Sequence, residues 1–144
     1  MAFNLSSADG VFTLTVETLF NAPLTLENWG TDRAWEANAL DQVETQMSID
    51  GHLNAGFVPR PVDMTLYLSA ASPSVVDFEV IMTAQSTSRT IYRLDGELTL
   101  PGIGRKYTFS KGVLLSGAPL PDGTRILANR AFKLRWERVF PVGV

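Results

Sequence analysis

Few residues in this 144-residue chain are suited to acid–base, nucleophilic or metal chemistry. His52 is the only histidine, so a multi-histidine metal site is excluded, and it follows the turn dipeptide Asp50-Gly51, where a turn-flanking polar residue fits better than a general base. There is no cysteine, which removes disulfides, thiolate nucleophiles and thiolate-ligated metals. The run Gly102-Ile103-Gly104-Arg105-Lys106 puts glycines beside basic side chains. A phosphate loop needs four residues between its glycines and a Lys-Ser/Thr pair after them, so this run reads as a turn. Asp95 and Glu97 share one face of a strand beside Arg93 and read as a solvated polar face rather than an acid–base pair. No serine sits in a nucleophile-elbow pattern. The expectation is a protein that is not an enzyme and takes no cofactor or metal.

The charge distribution points the same way. Residues 1–88 carry 2 basic and 11 acidic side chains, whereas residues 89–144 carry 10 basic and 4 acidic ones, within a net charge of −3. Such a split is either dispersed by interleaving strands or gives two opposed surfaces suited to contact between copies. The late basic residues Arg125, Arg130, Lys133, Arg135 and Arg138 alternate with Phe132 and Trp136. Alternation in a strand sends Lys133 and Arg135 to the face opposite the aromatics, so stacking and charge do not cooperate as a nucleic-acid grip requires. Charged residues make up 19% of the chain, below the roughly 25% of a typical domain, which suits a protein that covers much of its surface in contacts.

These side chains are positioned mainly by strands. Val11 to Phe20 alternates with Phe12, Leu14, Val16 and Phe20 inward. Residues 21–41 mix Pro, Gly, Asn and two tryptophans without a period and read as one long ordered loop, in which Trp29 and Trp35 are core lids or interface anchors. Val43 to Asp50 sets Val43, Thr45, Met47 and Ile49 against Glu44, Gln46, Ser48 and Asp50; Asp50-Gly51 turns it into a hairpin returning over residues 52–58. Val62, Met64, Leu66 and Leu68 mark the next strand. A solitary helix follows, with Ser72 as N-cap and Pro73 at its first position, or Ser74 with Asp77 as a rival capping frame. Val75, Phe78 and Met82, with Val76 and Val80 alongside, are its expected packing face, and Asp77, Thr83 and Gln85 its outer face. Three further strands place Tyr92, Leu94, Leu98 and Leu100, then the segment Arg105 to Leu115, then Phe132, Leu134, Trp136 and Phe140.

The resulting expectation is a single domain over 1–144, mainly β: an antiparallel β-sandwich or barrel of six to eight strands with one flanking α-helix. No window reaches the roughly 18 apolar residues of a membrane span and no signal-peptide pattern opens the chain, so a soluble protein without membrane binding is expected.

The order of elements, a strand "VDMTLYLSAASP" leading into a short helix, then "RLDGELTLPGIGRKYTFSKGVLLSGAP" and a late strand "NRAFKLRWERV", resembles the tail tube proteins of contractile-tailed bacteriophages. That family includes the tube-like rings near the baseplate and the related tube proteins of type VI secretion. The resemblance covers roughly Val43 to Val139. It implies a virion structural protein that assembles in the host bacterial cytoplasm into a hexameric, stacked ring of the inner tail tube, touches sheath or baseplate proteins, and lets phage DNA pass transiently. On the same resemblance Glu44, Gln46, Ser48 and Asp50 face the lumen, because a conduit must not bind phosphate, while Trp29, Trp35, Asp77, Lys133 and Arg135 meet neighbouring subunits or the sheath. A specialised terminal ring joining tube to baseplate hub is an alternative, and a small-ligand-binding β-barrel is a further one.

Overall fold

The computed structural model describes residues 10–17, 23–26, 29, 34–123 and 125–143. Among these residues ten strands, one α-helix and a 3-10 turn at Pro101–Ile103 are present; in chain order the strands and α-helix are β1 Val11–Val16, β2 Leu24–Leu26, β3 Trp35–Ala37, β4 Val43–Met47, β5 Leu53–Phe57, β6 Val62–Leu68, α1 Pro73–Ser88, β7 Leu94–Leu100, β8 Arg105–Gly117, β9 Arg130–Trp136 and β10 Arg138–Gly143. Eight of the strands form one antiparallel sheet in the order β2-β1-β7-β8-β9-β6-β3, with β10 also on β8; β4 and β5 pair only with each other.

The period-two alternation dictates this. In β1, Phe12, Leu14 and Val16 are buried, and in β6 so are Met64, Leu66 and Leu68, while their neighbours are partly or fully exposed. β8 is the exception to a simple strand. Its first half pairs with β7 on one edge and β10 on the other, and its second half pairs with β9. Between the halves Lys111 takes a left-handed conformation, φ 49°. The inward residues change from Tyr107 and Phe109 to Gly112 and Leu114 across that bend.

The partner strand breaks at the same level. Glu137 lies between β9 and β10, and its N–H donates to the Ser110 carbonyl at 3.1 Å, an ordinary backbone hydrogen-bond distance. Across this break the inward set shifts from Phe132, Leu134 and Trp136 to Val139. Phe140, expected on the same face as Trp136, is therefore turned outward and about half exposed, at 47%.

The bend folds the sheet over a common core. Phe12 stacks on Phe109 with ring centroids 5.3 Å apart, and Phe109 meets Trp136 at 5.1 Å. The end strands β2 and β3 are consecutive in the chain. Trp29, between them in sequence, pairs with Leu68 and packs edge-on against Phe12 and Trp35. The segment 21–41, read as one loop, thus carries two three-residue strands, too short for a period to register. Phe20, expected inward, lies outside the described residues.

Helix α1 covers the rest of the core. Ser72 is its N-cap, accepting from the Ser74 N–H at 3.2 Å, with Pro73 at the first position; the rival Ser74–Asp77 frame is not used. Ser74, Val75, Phe78 and Ile81 are buried and Met82 packs against the core, with Phe78 stacked on Phe132 at 4.6 Å. Val76 and Val80, expected on this face, are exposed instead. At 100° per residue they stand about 160° round the helix from Phe78.

Gly112 is where the two halves of the core meet. A Cβ there would lie 2.2 Å from the Trp136 six-membered ring, so only glycine lets the indole lie against β8. Gly112→Ala is expected to lower stability by about 3 kcal/mol, the upper end for overpacking a tight core; equilibrium urea unfolding checks it, and a loss below about 0.5 kcal/mol, the scale of ordinary surface changes, contradicts the packing.

Candidate assembly surfaces

The β4–β5 hairpin is built by its turn and register. The Ser48 N–H donates to the His52 carbonyl at 2.8 Å and the Gly51 N–H to the Ser48 carbonyl at 3.0 Å, with Gly51 at φ +90°, a conformation glycine adopts without a steric penalty. Pairing runs Val43 with Phe57, Thr45 with Ala55 and Met47 with Leu53 on one face, and Glu44 with Gly56 and Gln46 with Asn54 on the other. Every residue of both strands is exposed.

The hairpin is therefore amphipathic with both faces uncovered. Its apolar face presents Val43, Met47, Leu53 and Phe57, the last 73% exposed, and Ile49 stands fully exposed at the tip. Its polar face gathers Glu44, Gln46 and Asn54. Arg60 donates to Glu44 at 2.7 Å, and Asn54 donates to the Ser48 hydroxyl at 2.8 Å. Asp50 lies in the turn beyond the paired strands, 3.8 Å from His52. Glu44, Gln46 and Ser48 are thus brought together as expected, and Asp50 extends the same arm at its end. A lone two-stranded hairpin is marginally stable in water, and contiguous exposed apolar side chains mark contact surfaces.

A second polar surface lies on the outer face of β9, β6 and β3. The register aligns Arg135 with Asp63, and Lys133 with Thr65, which in turn opposes Glu36. Arg135 binds Asp63 through two hydrogen bonds, at 2.6 and 3.1 Å, and the Tyr67 hydroxyl donates to Glu36 at 2.7 Å. The Arg135 guanidinium holds the Asp63 carboxyl below the usual carboxylate range, outweighing the opposing effect of burial. Lys133 and Arg135 do share an outward face, as the alternation requires.

Arg130 does not join them. It faces inward with Phe132, only 4% exposed; it donates to Glu79 at 3.0 Å and to the Ala118 carbonyl at 2.8 Å, and its guanidinium lies 5.3 Å from the Phe132 ring centroid. This clamp between α1 and the β8–β9 loop was not legible as anything but one more surface cation. Its signal was its even-numbered place beside Phe132 in the alternation.

Trp29 and Trp35 are partly buried against the core, ring centroids 5.4 Å apart, so their lid role is occupied within the chain, and only their remaining exposed edges are free for a neighbour. Asp77 stands half-buried on α1, and burial pushes its carboxyl above the usual range. Among the described residues no group of three or more His, Cys, Asp or Glu side chains is placed to hold a metal, and no helix is long and apolar enough to cross a membrane.

The family described as tail fiber protein gp32 matches residues 3–140. The chain belongs to that family. Solved structures with the same fold come from contractile injection systems. A protein of the anti-feeding prophage baseplate, six-fold symmetrised, aligns over 100% of this chain and 99% of its own with 12% identity and a TM-score of 0.57. One from the anti-feeding prophage cap, which terminates the tube, aligns over 100% and 94% with 11% identity and a TM-score of 0.60. One from the sheath–tube complex of an extracellular contractile injection system, PVC, in its extended state, aligns over 92% and 88% with 14% identity and a TM-score of 0.57. No curated protein matches the chain. The chain thus shares its fold with components of contractile injection systems.

Two acids respond oppositely to pH. For Asp63, with its folded value below 3.8, the Arg135 pairing contributes stability above pH 3.8 that is lost as pH falls below it. Asp63→Asn is expected to lower Tm at pH 7 and to match the wild type once pH falls below the folded value. For Asp77, with its folded value above 3.8, the charged form is disfavoured by folding. Asp77→Asn is expected to raise Tm at pH 7, a gain that vanishes below pH 3.8. Thermal melts across pH 2–8 read both; equal Tm differences at every pH contradict the two assignments.

Proposed function

We propose that the chain is a non-enzymatic structural subunit of a contractile tail, forming a ring, six-fold by likeness to the tube proteins, in the inner tube that conducts DNA. The observation that carries this is the β4–β5 hairpin. Its apolar face is exposed, with no cover from the described residues, while its polar face is acidic and neutral apart from Arg60, whose charge Glu44 offsets.

A neighbouring copy laid against Val43, Met47, Leu53 and Phe57 removes this apolar surface from water, at roughly 25 cal/mol per Å² buried. The polar face, with Glu44, Gln46, Ser48 and Asp50, then turns to the lumen. A duplex passing there meets no row of unpaired cations, so it gains little of the counterion release that holds DNA to a protein. Lys133, Arg135 and Asp77, with the free edges of Trp29 and Trp35, face neighbours, sheath or baseplate proteins. Assembly takes place in the host cytoplasm and the product is part of the virion.

A second reading, a terminal ring joining tube to baseplate, is favoured by the likeness to a baseplate component and to a tube-terminating cap. A ligand-binding barrel is disfavoured, because its interior must stay open, and here Trp136, Phe12, Phe78 and Phe132 fill it.

Negative-stain electron microscopy of the purified protein over a concentration series tests this. Rings with a central hole are expected for the wild type, and Met47→Asp with Leu53→Asp is expected to leave the circular-dichroism spectrum unchanged and to abolish rings. Glu44→Lys is expected to keep them. Rings that survive the aspartates, or are lost on Glu44→Lys, contradict the assignment of the two faces.

A further inference from the structure

The chain has no cysteine, so the thiolate chemistry through which many proteins meet peroxide is absent, and methionine sulfur is what remains. Met47, Met64 and Met82 lie among the described residues, and their surroundings differ sharply. Met64 is 3% exposed in the core, and Met82, on α1, packs against that core. Met47 is 64% exposed on β4. It stands opposite Leu53 on the apolar face of the hairpin, between Val43 and the fully exposed Ile49 at the tip. The most accessible thioether of the described residues therefore sits in the surface that has to pack dry. A leucine or isoleucine there would bury a comparable area; what a thioether adds is adaptability and redox chemistry.

We propose that Met47 is an oxidative modification site: peroxide converts its thioether to the sulfoxide in the free subunit, and the sulfoxide blocks assembly. The proposal rests on the reading that Val43, Met47, Leu53 and Phe57 pack against another copy. In the reaction a sulfur lone pair attacks one peroxide oxygen and forms the S–O bond as the O–O bond breaks. The departing hydroxide takes the proton of the transferred oxygen and leaves as water, so sulfur gives up two electrons and peroxide takes them. The product is polar, and its oxygen accepts hydrogen bonds that water supplies to the free subunit and that an apolar contact face does not. Pairing of Met47 with Leu53 is through the backbone, so the hairpin survives the modification and only its packing face is changed. Once copies pack, the sulfur is covered. Free subunits are thus sensitive and assembled ones protected, and because methionine sulfoxide is reversed by reductases, one for each epimer, excluded subunits can return.

The test treats the full chain with hydrogen peroxide, once as dilute monomer and once after assembly. Peptide mass spectrometry locates the added oxygen, sedimentation velocity reads association, and circular dichroism checks the fold. In the monomer Met47 is expected to gain one oxygen well before Met64 or Met82, with the spectrum unchanged. Self-association is expected to weaken at least about tenfold, the scale of leaving one buried acceptor unpaired, and to recover after treatment with the two reductases. Met47→Leu is expected to assemble equally with and without peroxide, and preassembled wild type to be oxidised at Met47 more slowly than monomer. An oxidised Met47 that leaves association unchanged, a Met47→Leu variant that peroxide still disables, or a Met47 no more reactive than Met64 overturns the inference. If oxidised protein still assembles while Met47→Asp with Leu53→Asp does not, this inference falls and the hairpin reading stands. A wild type that stays monomeric at every concentration, or rings that survive the two aspartates, overturns both.

Discussion

The six-membered ring of Trp136 packs directly on Gly112 of β8, and this contact lets one strand belong to two halves of a sheet. The side chain is fully buried, touches Phe109, and occupies the space a Cβ would need. Its indole N–H has no protein hydrogen-bond partner among the described residues, a cost of about 1–3 kcal/mol. The aromatic packing must outweigh that cost, as burying a side chain of this size does. Beside it, the Asp95 carboxylate accepts from the Lys111 N–H at 3.1 Å, which satisfies the backbone where the left-handed Lys111 interrupts the ladder.

The layout of the outside follows from that bend. It places β10 beside the first half of β8 and β9 beside the second, so the chain leaving β9 opens a groove against the base of the hairpin. It also sends the loop before β9 to the far end, where Arg130 clamps it to α1. The hairpin itself shares no ladder with the body of the sheet. Its stability is set by whatever covers Val43, Met47, Leu53 and Phe57, whereas the core is self-sufficient. This division, a rigid body with an uncovered arm, suits a subunit that folds alone and completes its burial in an assembly.

Much of the body was legible from alternation because half-buried strands impose a strict period of two. Phe12 with Leu14 and Val16, Met64 with Leu66 and Leu68, and Phe132 with Leu134 and Trp136 all sit inward as their spacing requires. Legibility ended where geometry departs from a straight element. Alternation alone sends Phe140 inward, because nothing local announces that β9 and β10 break at Glu137 in step with Lys111 across the ladder. Hydrophobicity alone puts Val76 and Val80 on the packing face, whereas rotation of 100° per residue puts them opposite Phe78. In segment 21–41, strands of three residues are set by tertiary pairing and leave no periodic trace. The hairpin is legible as alternating faces, with Glu44 and Gln46 opposite in facing to Val43 and Met47. That its apolar face stays exposed is not, since alternation reports amphipathicity and not what lies on either side.

The central claim is that the hairpin acquires its cover only from another copy. Hydrogen–deuterium exchange, resolved by mass spectrometry over residues 43–57 and compared between dilute monomer and assembled protein, reads this directly. The account predicts fast exchange in the monomer, as expected for an isolated two-stranded ladder, and strong protection after assembly, with β6 and β9 protected in both. Strong protection of the hairpin already in the monomer, or none in the assembly, would contradict it.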